Sequence, residues 1–450
     1  MLRWDLRGTV FMSIHTDDMD IIAQYAADVN DILQAFDKRF GITVSSPDYM
    51  LGVLRTESIN GNRRSITMSQ EAYIEGMYEK FKEHCDGKTV TEPFPAKTFL
   101  MPLDNCGKPI DVPDDEVKRV HKKGYMNLVG GLLWAQRNTC PGLSFAMSQI
   151  CRCMQRPSEK ALACGVHSLK YLLAHKQDGI SFHSDGNWEP RIYYDSGHKQ
   201  PTGDGRSFCF FVIMHFGGPI YWETTKHDIP AFGAGEDEYM TQSIACKQGR
   251  GYQNLLNELG LGDMVKKPMS VIGDNSQAEL WGSEWAKMNT KTRHIEQKYH
   301  IVKTMVKKGW FQPLWMMGKE NPADLGTKPV DGVTSNRLMP MLCGQAPLPP
   351  LPEPRGKMKK RVHFRRRRPR VPPVRPPPPA AAATPAHRPH PSMPTNCKNP
   401  ELQGLAPPAS PSAGTLPHQH HAQPRVVARF LQNARAVICM VATACMGVLA

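Results

Sequence analysis

Four acidic residues in the chain have the local contexts of a metal-binding cluster. Asp195 falls in a short strand-like segment, Glu238 in the first turns of a helical segment and Asp274 at the end of a later strand. Asp324 stands near the start of a last helical segment. Because strand ends and helix starts converge at one edge of a sheet, four carboxylates there would repel unless divalent cations bridged them. The alternative is four unrelated surface acids among the 42 Asp and Glu residues of the chain.

A carboxylate cluster of this kind can hydrolyse phosphodiester bonds with the help of metal ions. Hard oxygen ligands select Mg²⁺ or Mn²⁺. Two such ions, about 3.5–4 Å apart, activate a water and stabilise the leaving oxygen. We therefore predict a two-ion site, with neighbouring carboxylate oxygens roughly 4–6 Å apart in the absence of metal. An Asp324 side chain that pointed away from Asp195 would argue against catalysis.

A second acidic pair lies near the N-terminus. Residues 9–15 and 19–22 are β-prone and mostly apolar, which predicts a hairpin with Asp17 and Asp18 at its turn. Adjacent acids at a hairpin turn suit the same two-metal chemistry, in this case for nucleotidyl transfer. A helix with one apolar face is predicted to follow over residues 28–40.

The next elements lead up to residue 185. A second hairpin with an Asn-Gly turn is predicted over residues 49–68, and Ser69 is the predicted N-cap of the helix after it. The Pro-rich, polar segment 93–118 is interpreted as a linker. Helical spacing then dominates residues 124–176, where Ser158 is the predicted cap of the last helix.

From residue 186 the pattern changes to a mixture of strands and helices. The predicted order is three strands, a helix, a strand, two helices, a strand and a helix. The third of these helices covers residues 292–308, and Pro322 opens the last one at its first turn. This order predicts an α/β (α+β) fold class with a mixed sheet. The predicted organisation has five segments: 1–92 with the hairpins, 93–185 with the linker and helices, 186–333 with the mixed sheet, a disordered Pro- and Arg-rich segment 334–424, and a short apolar tail 425–450.

The chain is basic, with 56 Lys and Arg residues and a formal charge of +14. This excess favours phosphate-bearing partners because neutralising phosphates releases counterions, although much of it lies in the segment 355–370. Residues 346–424 are rich in Pro, Ala, His and Arg, which predicts disorder or polyproline II. The apolar residues 436–450 are fewer than the roughly 20 that span a bilayer. A membrane is therefore not a predicted partner, although a tail anchor stays open.

The cysteine pattern bears on metal content and location. Twelve cysteines are scattered without the spacing of zinc ligands, which argues against a zinc site. No signal peptide is recognised, and nothing indicates a secreted disulfide framework. We therefore expect an intracellular protein, either cytoplasmic or nuclear.

Six short motifs follow one another in the block 186–333. They are Tyr194-Asp195, Gly217-Gly218-Pro219-Ile220-Tyr221-Trp222, Glu236-Asp237-Glu238-Tyr239, Asp274-Asn275, Lys291-Thr292-Arg293-His294-Ile295 and Asn321-Pro322-Ala323-Asp324-Leu325-Gly326-Thr327-Lys328. With these motifs in this order, the block resembles the ribonuclease H domain of copia-type retrotransposon Pol polyproteins. The resemblance makes metal ligands of the four acids Asp195, Glu238, Asp274 and Asp324, with Mg²⁺ or Mn²⁺ as the cofactor. The alternative to Glu238 as the helix carboxylate is Glu236.

The resemblance also suggests a role for a histidine and shows two departures. His294 would assist product release or proton transfer, with His300 as the alternative. The residues 196–198 are Ser-Gly-His, where the family usually has a second acid and a Trp. Ala234-Gly235 replaces a Ser-Ser pair, which weakens the helix cap. Neither departure removes a predicted ligand, but both indicate sequence drift.

The N-terminal block resembles the palm and thumb at the end of the family's reverse transcriptase. The residues 15–18, which include Asp17 and Asp18, stand where the family has Tyr-Val-Asp-Asp, and residues 125–134 match its connection region. Together the resemblance covers residues 9–332, roughly 70% of the chain. A polymerase also needs an upstream metal-binding Asp and fingers, which we expect to precede residue 1. The chain is thus expected to be a C-terminal Pol fragment that is inactive as a polymerase alone, with upstream Pol segments as partners.

Three functional hypotheses follow from these features. The first is a two-metal ribonuclease that cleaves RNA in an RNA–DNA hybrid, and the four retained acids favour it. The second is a catalytically decayed or co-opted nucleic-acid-binding remnant, which the drifted motifs favour. The third is an interaction protein that acts through its Pro- and Arg-rich tail. The first two share a nucleic-acid partner, whose contact residues the sequence does not identify.

Overall fold

A computed structural model describes residues 10–354, except for 16–17, 47, 62, 101–110, 185–188, 199–203, 263–264, 266–267 and 285–291. The described residues all fall in one compact unit of the chain. Three predictions lie outside the described residues, namely those for Asp17, for the disordered segment from residue 355 onward and for the apolar tail. The α/β fold class is confirmed, because the described residues form helices together with both antiparallel and parallel strands.

The first elements are a hairpin and a helix, as predicted. They are β1 (Val10–His15), β2 (Asp18–Ala23) and α1 (Ala26–Phe40). The two strands pair antiparallel. Helix α1 ends at Gly41, which takes a left-handed conformation with φ of 66° and donates its amide back to the Asp37 carbonyl. Arg55 lies 3.2 Å from Asp20, which ties the hairpin to the strands that follow.

A four-stranded antiparallel sheet comes next, in the order β3-β4-β5-β6. Its strands are β3 (Tyr49–Met50), β4 (Val53–Asn60), β5 (Arg63–Ser69) and β6 (Ile180–His183). Gly61 turns the β4–β5 hairpin at a φ of 59°, which explains the Asn-Gly signal. The predicted N-cap role of Ser69 is wrong. Ser69 pairs with Leu54 as the last residue of β5, so Gln70 takes the N-cap position.

Five helices build the first hydrophobic core. They are α2 (Glu71–Phe81), α3 (Asp114–Lys122), α4 (Tyr125–Asn138), α5 (Ser144–Ile150) and α6 (Glu159–Ala174). Ser158 caps α6 as predicted, by accepting a hydrogen bond from the Ala161 amide at 3.2 Å. The linker predicted over residues 93–118 is wrong in part. Phe94 and Leu100 are buried in this core, and α3 begins within the supposed linker.

The second sheet has five strands in the order β11-β10-β7-β8-β9. The strands are β7 (Arg191–Ser196), β8 (Phe208–His215), β9 (Gly218–Lys226), β10 (Met269–Gly273) and β11 (Phe311–Trp315). The first three pair antiparallel, whereas β10 runs parallel to both β7 and β11. Its helices are α7 (Ala234–Glu258), α8 (Ser276–Gly282), α9 (Ile301–Lys307) and α10 (Gly332–Leu342). Every residue of β8 is buried, which explains its continuous apolar sequence.

Three predictions for this region need correction. The α-helix predicted over residues 292–308 is shorter, because residues 292–295 form a turn and a bend, Gln297–His300 form a 3₁₀ helix and α9 begins only at Ile301. Pro322 opens a 3₁₀ helix of only five residues. The predicted disorder from residue 334 is wrong for α10, whose Leu338 and Leu342 are fully buried in the second core. Prolines and polar residues around these two leucines obscured the helical spacing.

The second sheet is joined to elements outside the predicted block 186–333. The Trp222 indole donates to the Gln136 carbonyl at 3.0 Å, which connects β9 with α4. The His183 amide donates to the Phe216 carbonyl at 2.8 Å, so β6 also lies against this sheet. Together with α10, these contacts make residues 186–333 part of a larger packed body.

Candidate active site

The edge of the second sheet brings two of the predicted acids together. Strands β7 and β10 are parallel neighbours, with Tyr193 paired to Ile272. Two residues further along each strand direction stand Asp195 and Asp274, so both carboxylates emerge at the same edge. The Trp315 indole donates to the Asp274 carbonyl at 2.7 Å, which fixes the backbone just after β10.

The 3₁₀ helix after β11 adds the third acid. Its cap residue Asn321 accepts a hydrogen bond from the Ala323 amide at 3.1 Å and donates to the Tyr194 carbonyl at 2.9 Å. This bridge holds Asp324 against the end of β7. One carboxylate oxygen each from Asp195, Asp274 and Asp324 lies within 4.8 Å of the others. The requirement that Asp324 face Asp195 is therefore met.

Glu238 completes the predicted set from helix α7. Its Oε1 accepts a hydrogen bond from the Ser196 amide at 3.2 Å, directly after Asp195 in β7. Its Oε2 is buried and has no hydrogen-bond partner among the described residues. A buried carboxylate oxygen without a partner is costly unless a cation or proton compensates it. The charges of Asp195 and Asp274 act on Glu238, so it lies near these two aspartates, but it is not part of the group whose oxygens lie within 4.8 Å of one another.

Burial raises the pKa values of these acids. Burial and the charge of Asp324 raise the pKa of Asp195 to about 6. Burial and the charges of Asp195 and Asp274 raise the pKa of Glu238 well above its usual value. Burial also raises the pKa values of Asp274 and Asp324. The metal-free cluster therefore holds protons more tightly than ordinary carboxylates, and a cation that binds there has to displace them.

Two residues in contact with the cluster were quoted in a motif but not predicted as site residues. The Thr327 hydroxyl donates to Asp195 Oδ2. The Lys328 ammonium lies 3.0 Å from Asp324 Oδ1 and 3.9 Å from Asp195 Oδ2. The available signal was their position three and four residues after Asp324, where a helical turn brings side chains to one face.

Glu236, the alternative helix carboxylate, points elsewhere. Its Oε2 accepts a hydrogen bond from the Phe232 amide at 3.0 Å and lies 3.1 Å from His294 Nε2. Glu236 and His294 line an open cavity of about 660 Å³ that also includes Asp274. The structure thus places Glu238, rather than Glu236, with the aspartates. It places His294 at the rim beside them.

His300, the alternative histidine, lies in a different environment. Its Nδ1 is 3.0 Å from the Tyr239 hydroxyl, and burial lowers its pKa. It is not among the residues that line the cavity next to Asp274. A structural role against α7 fits this position better than proton transfer at the acids.

The residues after Asp195 that depart from the family pattern make contacts with other side chains. His198, which stands in the Ser-Gly-His segment, is paired with the buried Asp237 carboxylate. The Ser207 hydroxyl donates to the same Asp237 oxygen at 2.9 Å. This departure from the family pattern therefore produces a packed, hydrogen-bonded His–Asp pair on the residue next to Glu238 and does not disturb the four acids.

The hairpin acids are arranged differently. Asp18 is exposed at the first position of β2, and Asp17 lies outside the described residues. Within the part of the chain that the structure describes, the one group of three or more potential metal ligands is that of Asp195, Asp274 and Asp324.

The sequence is similar to retrotransposon proteins. It is 24% identical over 330 residues to the retrovirus-related Pol polyprotein from transposon TNT 1-94 of Nicotiana tabacum, covering 73% of this chain and 24% of that protein. It is 22% identical over 325 residues to the Pol polyprotein from transposon RE1 of Arabidopsis thaliana, covering 72% and 21%. A Ty5-1 transposon protein of Saccharomyces cerevisiae is 22% identical over 238 residues, covering 52% and 72%. This chain is a relative of copia-type retrotransposon Pol polyproteins.

This Pol relative spans less than a quarter of the length of each plant polyprotein. No family model matches its sequence. Among solved structures, the N-terminal RNase H domain of Rv2228c from Mycobacterium tuberculosis, fused to maltose binding protein, is similar over 34% of this chain and 96% of that chain. The identity there is 11% and the TM-score 0.23. None of the described helices of the Pol relative is long and apolar enough to cross a membrane.

Proposed function

We propose that this Pol-derived chain cleaves the RNA strand of RNA–DNA hybrids at the edge of its second sheet. The observation that supports this most is the convergence of Asp195, Asp274 and Asp324, whose carboxylate oxygens lie within 4.8 Å of one another. Buried like charges destabilise a fold, so a cluster of them with raised pKa values favours a functional over a structural role. A nucleic-acid substrate also agrees with the basic sequence.

The donor set fits divalent cations. Asp195, Asp274 and Asp324 offer hard oxygen ligands of the kind that Mg²⁺ and Mn²⁺ prefer. The unpartnered Oε2 of Glu238 would be a fourth ligand atom. Such ions, when bound, supply an activated water and stabilise the charge of the leaving oxygen.

The chain's own contacts hold these carboxylates in place before a substrate arrives. Glu238 is fixed by the Ser196 amide, and Asp195 by the Thr327 hydroxyl. Asp324 is held by the capped 3₁₀ helix. Preorganised groups need little rearrangement during the reaction, which is why rigid placement of ligands favours catalysis.

We propose His294 as the residue that transfers a proton or assists product release. Its side chain is 39% exposed, and Glu236 orients the ring through Nε2 at 3.1 Å. This position at the rim lets His294 exchange protons with water while it faces the cavity that contains Asp274. His300 is already committed to the Tyr239 hydroxyl.

We propose no polymerase activity for this chain alone. Asp18 is exposed on the hairpin, and no described acid completes a three-carboxylate group with it.

The decisive experiment uses the full chain, because residues 186–333 pack against α4, β6 and α10. Wild-type protein and Asp274→Asn are incubated with labelled RNA–DNA hybrid in Mg²⁺ or Mn²⁺, with double-stranded DNA and single-stranded RNA of the same sequence in parallel. Wild type is expected to cleave the hybrid, and Asp274→Asn is expected to cleave it at least about a hundredfold more slowly. Substitution of residues that merely hydrogen-bond metal ligands already lowers metal affinity or activity about 10–100-fold. The matched control is Glu258→Gln, at the far end of α7, which should cleave like wild type.

The same experiment distinguishes the second hypothesis. A wild-type chain that binds the hybrid but does not cut it, even with Mn²⁺, would be a nucleic-acid-binding remnant. The altered residues at 196–198 and 234–235 are the features that favour this alternative. Failure both to bind and to cut would exclude both functions.

A further inference from the structure

A positive charge already lies within the carboxylate cluster. The Lys328 ammonium is 3.0 Å from Asp324 and 3.9 Å from Asp195. Asp195 is nearly fully buried, whereas the Lys328 side chain is 45% exposed. The lysine thus reaches into the cluster from the solvent side and touches two of the three aspartates.

In the metal-free protein, repulsion among the carboxylates explains why the cluster needs another cation. Four carboxylates at one sheet edge repel one another, and breaking the compensation of a buried charge is strongly destabilising. Among the described residues, Lys328 is the cationic side chain in ion-pair contact with Asp195 or Asp324. It offsets part of this repulsion at the two acids that it contacts.

The same position puts Lys328 in competition with a divalent ion. A cation bound between Asp195 and Asp324 would lie close to the ammonium, and like charges a few ångströms apart repel. Lysine is attached through a flexible four-carbon stem and is well hydrated, so a half-exposed ammonium can withdraw into water at modest cost. The surrounding carboxylates, in contrast, are held by Ser196, Asn321 and Thr327.

We propose that Lys328 is a built-in counter-cation that keeps the carboxylate cluster assembled in the metal-free protein and withdraws when a divalent cation binds. The withdrawal of Lys328 on metal binding rests on the metal-dependent function proposed above. Its role as a counter-cation in the metal-free protein does not. Lys328 is in this sense a positioning residue: it acts through Asp195 and Asp324 and lowers the affinity of the site for metal.

The test compares Lys328→Met, Lys328→Arg and Lys307→Met with the wild-type full chain. Lys307 is exposed at the end of α9, and Lys307→Met removes the same charge outside the carboxylate cluster. Mn²⁺ binding is measured at pH 8 by calorimetry and by the loss of the electron paramagnetic resonance signal of free Mn²⁺. Lys328→Met is expected to bind Mn²⁺ about tenfold more tightly, because the competing charge is gone. Lys328→Arg should stay within about twofold of wild type, since it keeps the charge.

A second measurement needs no metal. Denaturant unfolding in EDTA at pH 8 should give a lower midpoint for Lys328→Met than for Lys307→Met, because the cluster has lost its counter-charge. A purely structural lysine would lower the midpoint without tightening Mn²⁺ binding, and that outcome would overturn the proposal.

The results separate this proposal from the proposed function. If wild type cleaves the hybrid but Lys328→Met binds Mn²⁺ no more tightly, the counter-cation proposal is wrong and the nuclease stands. If wild type neither binds Mn²⁺ nor cleaves, the nuclease proposal fails. The unfolding midpoints then decide on the counter-cation alone, and equal midpoints for Lys328→Met and Lys307→Met would reject it.

Discussion

The hairpin of β1 and β2 and the edge of the second sheet both carry acids that suit two-metal chemistry, yet they differ in what surrounds those acids. Asp18 is exposed at the start of β2, and the acid predicted to act with it is its sequence neighbour Asp17. At the sheet edge, Asp195 lies in β7, Asp274 directly follows β10 and Asp324 lies in a 3₁₀ helix. A metal site of this kind thus depends on elements that converge from distant parts of the chain, and two adjacent acids on one turn do not supply them.

Burial is the second difference between the two regions. Asp195 and Glu238 are buried, and Asp274 and Asp324 are partly buried. Burial raises the pKa values of all four, so they are costly to keep charged without a cation. An exposed acid such as Asp18 is solvated by water and needs no such compensation. The comparison therefore predicts that substitutions at the two regions will have very different effects on function.

The largest expected difference in hybrid cleavage is between variants that each remove one acid, one in each region. Asp195→Asn should reduce hybrid cleavage by at least about a hundredfold, since it removes a carboxylate from the convergent group. Asp18→Asn should leave nuclease activity unchanged. Single-turnover cleavage rates with Mg²⁺ measure both. Similar losses in the two variants would show that the hairpin contributes to the nuclease site.

The acids themselves were predictable from sequence because each lies in a strongly marked local context. Asp195 and Asp274 end strands whose apolar runs are unmistakable, and Glu238 begins a long helix. Their convergence was an expectation of the predicted order of elements, because strand ends and helix starts of such a mixed sheet meet at one edge. The resemblance added the motif order, and the relatives found by comparison are likewise retrotransposon Pol polyproteins.

What the sequence did not reveal depends on contacts between distant segments. The pairing of β6 with β5 joins residues more than a hundred positions apart. Helix α10 is recognisable only because the second core offers a surface for Leu338 and Leu342. Lys328 stands just after a 3₁₀ helix of five residues, which is too short for a periodic signal, and its spacing from Asp324 alone did not indicate the contact with Asp195.

The next effect concerns stability as a function of pH in the metal-free protein. The folded state raises the pKa of Asp195 from 3.8 to about 6, so the folded protein binds this proton more tightly than the unfolded chain. The resulting stability is fully present below about pH 4 and is lost as pH rises through about 6, a difference of about 3 kcal/mol. Urea unfolding in EDTA between pH 4 and pH 8 measures it.

A matched pair of variants tests the origin of that slope. Asp195→Asn should flatten the loss of stability between pH 4 and pH 7, whereas Glu258→Gln should not change it. Saturating Mg²⁺ should also reduce the slope, because the ion then compensates the carboxylates. A slope that survives in Asp195→Asn would assign it to other groups.

A smaller effect is expected for the carboxylate on α7. Glu238→Gln should weaken Mn²⁺ binding about 10–100-fold, since the amide keeps the hydrogen bond from Ser196 at Oε1 but removes the negative charge. Glu258→Gln is the control on the same helix. Calorimetric titration at pH 8 measures both affinities. Glu236→Gln belongs in the same series, and a larger loss there than in Glu238→Gln would reverse the assignment of the helix ligand.

The smallest expected effect separates the two histidines. His294→Gln should slow multiple-turnover cleavage about tenfold, less than the usual contribution of a general acid, because water can replace an exposed imidazole at the rim. His300→Gln should lower thermal stability through the lost contact with the Tyr239 hydroxyl, while its cleavage rate per folded molecule stays near wild type. If His300→Gln slows cleavage per folded molecule and His294→Gln does not, proton transfer has to be reassigned to His300.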